Sequence, residues 1–568
     1  MIKFFRQILR KIKKFDDYTS QYLKITNNIE MPSLAYTNWG MYLAGLKDFD
    51  SAIEKLETAI LMSNQNPKPC ICLGIIYAKI KEYEKAKNIL KEAIKRDSQN
   101  AYAYSLLSSV LVAEDNFEEA EDVLKKGLKL APCDSEVYLN YGILYAKQQK
   151  KNKAIEMLKK AKFFNSLNLH ACFLLGVMYF ETDKVSEAFQ EFKQLEEIKP
   201  DYKNLNYYLA LCYKKEKNYS AVTEYAQRAL EENPKDASIY ILLAQNYSDL
   251  GKQADMINIY NKAYSAGIND FELFFAWGIS LIKINKIQEA KEKLYKALSF
   301  KENDSNVLYR IGYCMYKEKN YTEAIEYFRK AIKSNPQNSM AYADLGITYY
   351  EQKIYNEAIL YLNEAINLSS QNSFLYFYIA NCYYKQGRLK KSLDFYEKTI
   401  EYYPTHIEAL INCAVNYLDV NNTKNALRKI RSAYQINRKS EKVLLVYALT
   451  ELKTGLYTDS IEKVDILLKD NPDNKEAKLI KANALINLHK PYEALNILYS
   501  FTDNEKESSI FIYLNYLAYK ILVEDSPSNY NENMLNLYLN KLNTFSQKDL
   551  QNNEVSAYIN NTLNINKG

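Results

Sequence analysis

The sequence predicts an all-α fold: a right-handed superhelical solenoid of about fourteen 34-residue helix-turn-helix units, closed by terminal capping helices. Two observations carry this. Six of the eleven prolines (Pro132, Pro200, Pro234, Pro336, Pro404 and Pro472) are spaced by 34 residues or multiples of 34. Half of the fourteen glycines (Gly40, Gly74, Gly142, Gly176, Gly278, Gly312 and Gly346) keep the same spacing in another phase. A fixed period of this length indicates stacked repeats rather than a globular enzyme domain. It moves the functional question from catalysis towards binding.

The units run without an insertion when Ser33 is taken as position 1, giving starts at Ser33, Pro67, Ala101, Ser135, Leu169, Lys203, Ala237, Phe271, Ser305, Ser339, Ser373, Ile407, Glu441 and Lys475. Position 8 is always small, and position 20 is Ala in ten repeats and Ser in two (Ser392, Ser460). Small residues at both places let two helices approach closely. The ninth repeat shows the rhythm of each pair. Val307, Leu308, Ile311 and Met315, then Ala324, Ile325, Phe328 and Ile332, follow i, i+3, i+4 spacing. Lys317 to Asn320 is the polar turn, and Pro336 stops the second helix. Val222 and Met256 break position 20, Ala226 fills position 24, and Leu195, Leu467 and Phe501 enlarge position 27. Packing is therefore expected to be less regular in repeats 6–7 and 13–14. A seam near 203–270 is weighed against the unbroken spacing, which argues for one continuous stack over 33–508.

Residues 1–32 precede the grid. Residues 1–15 hold Lys3, Arg6, Arg10, Lys11, Lys13 and Lys14 and no acid, which accounts for the whole net charge of +6. On a helical wheel Ile2, Phe4, Phe5, Ile8, Leu9, Ile12 and Phe15 fall within about 160°. That pattern resembles an interfacial membrane helix, with Ile2, Lys3, Phe5, Arg6, Leu9, Arg10 and Ile12 as docking residues. The competing expectation is that this face caps the first repeat. Residues 509–568 leave the grid. Ile510 to Leu522 and Glu532 to Leu542 are expected as capping helices, followed by an Asn-rich polar tail.

Small at 8, aromatic at 11 (Tyr77, Tyr145, Tyr179, Tyr213, Tyr247, Tyr349, Tyr383, Tyr417), Ala at 20, large apolar at 24, Ala at 27 and Pro at 32 resembles the tetratricopeptide repeat. The usual Trp at position 4 is replaced, mostly by Tyr, Leu, Phe or Cys, with Asn206 and Lys478 as polar exceptions. The resemblance implies that positions 2, 5, 6, 9, 12 and 13 of the first helices line a concave groove. Fourteen aromatics occupy those positions, thirteen of them in repeats 5–11: Phe173, Phe180, Tyr207, Tyr208, Phe275, Tyr309, Tyr313, Tyr316, Tyr350, Phe374, Phe377, Tyr378 and Tyr384, with Tyr102 apart. Tyrosine offers wide contact area at low entropy cost. The candidate partner site is therefore placed on these residues, Tyr102 and Phe374 aside, centred on repeats 9–11. Arg310 and Lys317 are expected to orient an acidic group, and Asp344 and Glu351 to repel one.

Chemistry has little foothold. No phosphate-binding loop, HExxH or dinucleotide fingerprint occurs, and Gly251-Lys252 is followed by Gln253. His170, His406 and His489 lie far apart, without metal-ligand spacing. The eight cysteines form no CxxC pair, and seven lie on first helices as small buried hydrophobes. The chaperone-tail clamp of the family fails, because Asn381 and Asn483 at position 9 follow Phe377 and Leu479 at position 5. Of the sugar-transferase Asn ladder only Asn38, Asn140 and Asn412 fit. The expectation is a non-enzymatic, cytoplasmic scaffold for protein or peptide partners, without cofactor, metal or nucleic acid. The alternatives are a peripheral adaptor docked on an anionic membrane and an accessory recognition subunit of a transferase acting in trans.

Overall fold

The computed structural model describes residues 30–63, 65–369, 372–502 and 508–543. The described residues form thirty α-helices and no strand. They group into two compact units that divide between Asn269 and Asp270, at the junction of the seventh and eighth repeats. Each repeat contributes one antiparallel helix pair. The first pair is Glu30–Gly45 and Phe49–Met62, the ninth is Ser305–Lys317 and Tyr321–Ser334, and the thirteenth is Glu441–Lys453 and Tyr457–Asp470. In the second unit the stack ends on Ser509–Asp525 and Asn529–Asn543, where two further helices were expected.

The turn inside each repeat is a shared device. Position 15 has positive φ in all fourteen repeats, from Lys47 at 64° to His489 at 54°, and only Gly251, Gly387 and Gly455 are glycine there. In the ninth repeat the Lys319 amide donates to the Tyr316 carbonyl at 2.9 Å and the Asn320 amide to the Met315 carbonyl at 2.9 Å. These bonds satisfy carbonyls that the ending helix would otherwise leave open. First helices begin on side-chain caps. Asn100, Asp134, Asn168, Asp236, Asp270, Asp304, Asn338, Asn372 and Asn474 each accept an amide of the first turn.

Close approach of the paired helices explains the small position 8. A Cβ added at Gly346 would meet Leu362 at 2.7 Å, at Gly312 Phe328 at 2.8 Å, and at Gly176 Phe192 at 2.5 Å. Position 24 therefore fills the space over position 8. In the sixth repeat, where the pattern breaks, volume is exchanged rather than lost. Val222 at position 20 accompanies Ala226 at position 24, and both are fully buried. In repeats 11 and 13 the serine at position 20 donates to the carbonyl at position 8, Ser392 to Ala380 at 2.9 Å and Ser460 to Ala448 at 2.8 Å. Of the cysteines, seven are buried and Cys133 is exposed.

Candidate partner-binding surface

In the first unit, Phe173, Phe180, Tyr207 and Tyr208 come together, but largely on one another. Phe173 meets Tyr208 edge-on at 5.4 Å and Tyr202 at 5.0 Å. Tyr208 in turn meets Phe180 at 6.4 Å, Tyr207 at 5.6 Å and Phe192 at 5.5 Å. His170 shares a 3.0 Å hydrogen bond with the Tyr202 hydroxyl at the margin of this cluster. The same unit holds a cavity of about 470 Å³ between Pro67, Lys68, Ile71, Cys72, Ile75, Asn100 and Tyr102. Tyr102 is the only aromatic residue in its lining, so an aromatic pattern in the sequence does not mark it.

In the second unit, Phe275 stacks on Phe271 of its own helix at 5.6 Å. The ninth and tenth repeats are joined by Tyr309, whose hydroxyl donates to the Asp344 carboxylate at 2.9 Å. Burial, then the Asp344 charge, raises the Tyr309 phenol. Burial also raises the Asp344 carboxyl, against the lowering effect of the Tyr309 bond, Arg310 and Lys317. Arg310 lies 5.1 Å from the centre of the Tyr309 ring and Lys317 5.3 Å from that of Tyr313. Tyr350 and Tyr378 meet edge-on at 5.4 Å. Tyr384 donates to Asp419 at 2.6 Å.

The predicted residues differ in availability. Tyr313, Tyr316, Tyr378 and Tyr384 are half-buried and keep part of their surface open. Tyr309, Tyr350 and Phe377 are buried. Phe377 packs against His406 at 4.8 Å and Tyr396 at 6.1 Å, so it belongs to the core as much as to the surface. His406 caps its helix by accepting the Ala409 amide on Nδ1 at 3.1 Å, and its buried Nε2 has no hydrogen-bond partner. Beyond repeat 11 the equivalent positions close over. Ile411, Val415, Leu445, Val446, Leu449, Leu479 and Ile480 are buried. The seven residues proposed to dock on a membrane, Ile2, Lys3, Phe5, Arg6, Leu9, Arg10 and Ile12, lie outside the described residues.

Sequence models of the tetratricopeptide repeat match residues 43–110, 101–132, 135–162, 179–246, 237–266, 305–338, 327–359 and 373–406. The chain belongs to the tetratricopeptide repeat family. Solved structures similar to this tetratricopeptide repeat protein include the APC/C hetero-tetramer Cut9-Hcn1, at 15% identity and a TM-score of 0.39, covering 82% of this chain and 98% of that one. Another is a tetratricopeptide repeat protein from Parabacteroides merdae, at 20% identity and a TM-score of 0.35, covering 44% of this chain and 98% of that one. No curated protein matches the sequence. Among the described residues no helix is long and apolar enough to cross a membrane, and no group of His, Cys, Asp and Glu has the arrangement of a metal site.

Proposed function

We propose that this tetratricopeptide repeat protein is a non-enzymatic scaffold that holds a partner protein or peptide on the first-helix face of repeats 9–11. The observation that carries the reading is a contrast within the second unit. Tyr313, Tyr316, Tyr378 and Tyr384 keep open surface there, while seven of the nine equivalent positions of repeats 12–14 are filled by buried aliphatic side chains, Asn412 and Asn483 being the two polar exceptions. Partly open phenols beside charged side chains form contact area that aromatic-rich interfaces use. Pull-down with the full chain and with Tyr313→Ala and Tyr316→Ala tests it. A partner retained equally by all three removes the surface from consideration.

The segregated apolar and basic faces of residues 1–15 support a second role, docking on an anionic membrane. Sedimentation with anionic and neutral liposomes, with and without residues 1–31, separates that role from the first. Binding that survives the deletion excludes it.

A further inference from the structure

The outer edge of repeats 2–4, in the first unit, concentrates positive charge. Over 91–99, 125–133 and 159–167, where three second helices end and run into their loops, nine residues are Lys or Arg and two are acidic. The same positions of repeat 5 hold two bases and three acids, and those of repeat 13 one base and three acids. Repeats 9 and 12 carry three bases there, but singly, between repeats with acids at these positions. Five of the nine bases are spent on ion pairs: Lys91 with Glu119, Arg96 with Glu92, Lys125 with Glu121 and Asp122, Lys160 with Glu156 and Lys162 with Glu191. Lys95, Lys126 and Lys129 are exposed and have no ion-pair partner among the described residues, and Lys159 lies over the Tyr179 ring at 5.6 Å. The uncompensated charge therefore rests on four lysines.

Apolar side chains stand in the same edge. Phe163 is 83% exposed and Leu167 67%. They are held in place. Phe163 meets Phe164 edge-on at 5.3 Å, Phe164 stacks on Tyr138 at 5.3 Å, and the Tyr138 hydroxyl donates to the Pro132 carbonyl at 3.2 Å. This series ties the loop after Lys129 to the end of the next second helix. The Leu167 amide donates to the Asn165 side chain at 3.0 Å, which fixes the following loop. Cations favour a helix C-terminus, but that preference does not account for two such open apolar side chains beside them. Lysines next to exposed Phe and Leu match a surface that enters the headgroup layer of a membrane. A nucleic acid would use the lysines and could stack a base on Phe163, but it offers Leu167 no apolar medium. We propose that the second-helix ends of repeats 2–4 dock on an anionic lipid membrane, with Phe163 and Leu167 entering the headgroup layer and Lys95, Lys126, Lys129 and Lys159 facing its anionic groups. This site is separate from residues 1–15 and does not depend on their docking. Binding retained without residues 1–31 belongs to this edge.

Phe163→Trp supplies a local probe, because Trp39 and Trp277 are buried. In the full chain its emission is expected to shift to the blue with liposomes of phosphatidylcholine and phosphatidylserine, and not with phosphatidylcholine alone. Sedimentation with the same mixed liposomes should weaken roughly thirtyfold in Lys126→Gln/Lys129→Gln, since each lysine at an anionic surface is worth about fivefold. Phe163→Ser/Leu167→Ser should weaken it roughly tenfold. The matched pair Lys235→Gln/Lys262→Gln, at exposed lysines of repeats 6 and 7, controls for general attraction and should weaken it by no more than about twofold. Circular dichroism confirms that each variant is folded. Equal binding by the two lysine pairs overturns the proposal. An added tryptophan that keeps its solvent-exposed emission on the bound chain also overturns it but leaves docking by residues 1–15 standing. So does binding of a DNA oligonucleotide, but not of liposomes, that is lost in Lys126→Gln/Lys129→Gln; that result makes the edge a polyanion site. If the full chain ignores anionic liposomes altogether, both membrane readings fall.

Discussion

Position 11 is tyrosine in eight repeats, and in three of them its hydroxyl bonds position 25 of the preceding repeat. Tyr77 bonds Glu57 at 3.4 Å, Tyr417 bonds Glu397 at 2.9 Å, and Tyr349 accepts from Arg329 at 2.7 Å. In the thirteenth repeat Glu451 holds this place, and its counterpart is Arg431. The expected ion pair does not form. Arg431 donates to the Tyr447 hydroxyl at 3.3 Å, and Lys463 pairs with Glu462 at 3.3 Å. Glu451 is 2% exposed, and its Oε2 has no hydrogen-bond partner. Burial lifts its carboxyl from 4.5 to about 7, with Lys463 and Arg431 offsetting part of the effect.

A carboxyl raised in the fold is protonated there, while the unfolded chain releases the proton first. Its contribution to stability is therefore complete below about pH 4.5 and is lost as pH rises through about 7. Each pH unit in that interval is worth about 1.4 kcal/mol, and the interval as a whole roughly 3 kcal/mol. Glu451→Gln keeps the shape and removes the charge. It should leave stability near pH 4.5 almost unchanged and raise it by roughly 3 kcal/mol above pH 7. In a stack of repeats the gain is local, so amide hydrogen exchange resolved over Glu441–Lys453 and Tyr457–Asp470 is the direct assay. Protection there should fall with pH in the wild type and stay level in the variant, after correction for intrinsic exchange. Parallel profiles for the two proteins would refute the reasoning, because they would place the carboxylate in a compensated site.

His406 should show the opposite slope: burial lowers its imidazole below 6.5, so the cap on Ala409 is complete above that pH and is lost on acidification. His406→Asn restores the commoner cap and should abolish an acid loss of about 1 kcal/mol, read by exchange over Ile407–Asp419. Gly346→Ala should lower the denaturation midpoint, at a cost of about 1–3 kcal/mol, through its collision with Leu362, whereas Gly45→Ala, with open space around it, should not destabilise. Lys353→Gly, at φ 62°, should raise stability by about 0.5–1 kcal/mol in denaturant titrations. Tyr313→Ala should leave that midpoint nearly unchanged, while Phe377→Ala should cost about 3–5 kcal/mol, so partner loss in the second variant reports unfolding as well as contact.

Period carried the fold because packing is periodic. Glycine at 8 and a large side chain at 24 are two halves of one contact, and a linear sequence shows both when the contact recurs at each 34-residue step. The turn was harder to see. A left-handed residue at position 15 is glycine in three repeats and lysine, aspartate, asparagine, glutamine or histidine in the others, so backbone bonds rather than residue type mark it. The surface was legible in outline only. Periodicity assigned Tyr309 and Tyr316 to one helix face, but it could not show that the first is buried on Asp344 and the second half-open. Sequence likewise gives the charge of Asp344 without the Tyr309 phenol that bonds it.

In a chain where each position has a default residue, a departure has a readable cost. Serine for alanine at position 20 introduces a hydroxyl, and the carbonyl at position 8 receives it, so Ser392 and Ser460 need no further role. Histidine for asparagine or aspartate at position 34 keeps one bond and leaves Nε2 without a partner. Glutamate for tyrosine at position 11 leaves Oε2 without one in a buried place. The first departure is closed by its own repeat, while the other two make local stability depend on pH with opposite signs. Both lie in the second unit, close in sequence to the repeats that carry the open phenols. Acidification therefore loosens the helix that His406 caps while it tightens the repeat that buries Glu451, so exchange over Ile407–Asp419 and Glu441–Lys453 should move in opposite directions with pH.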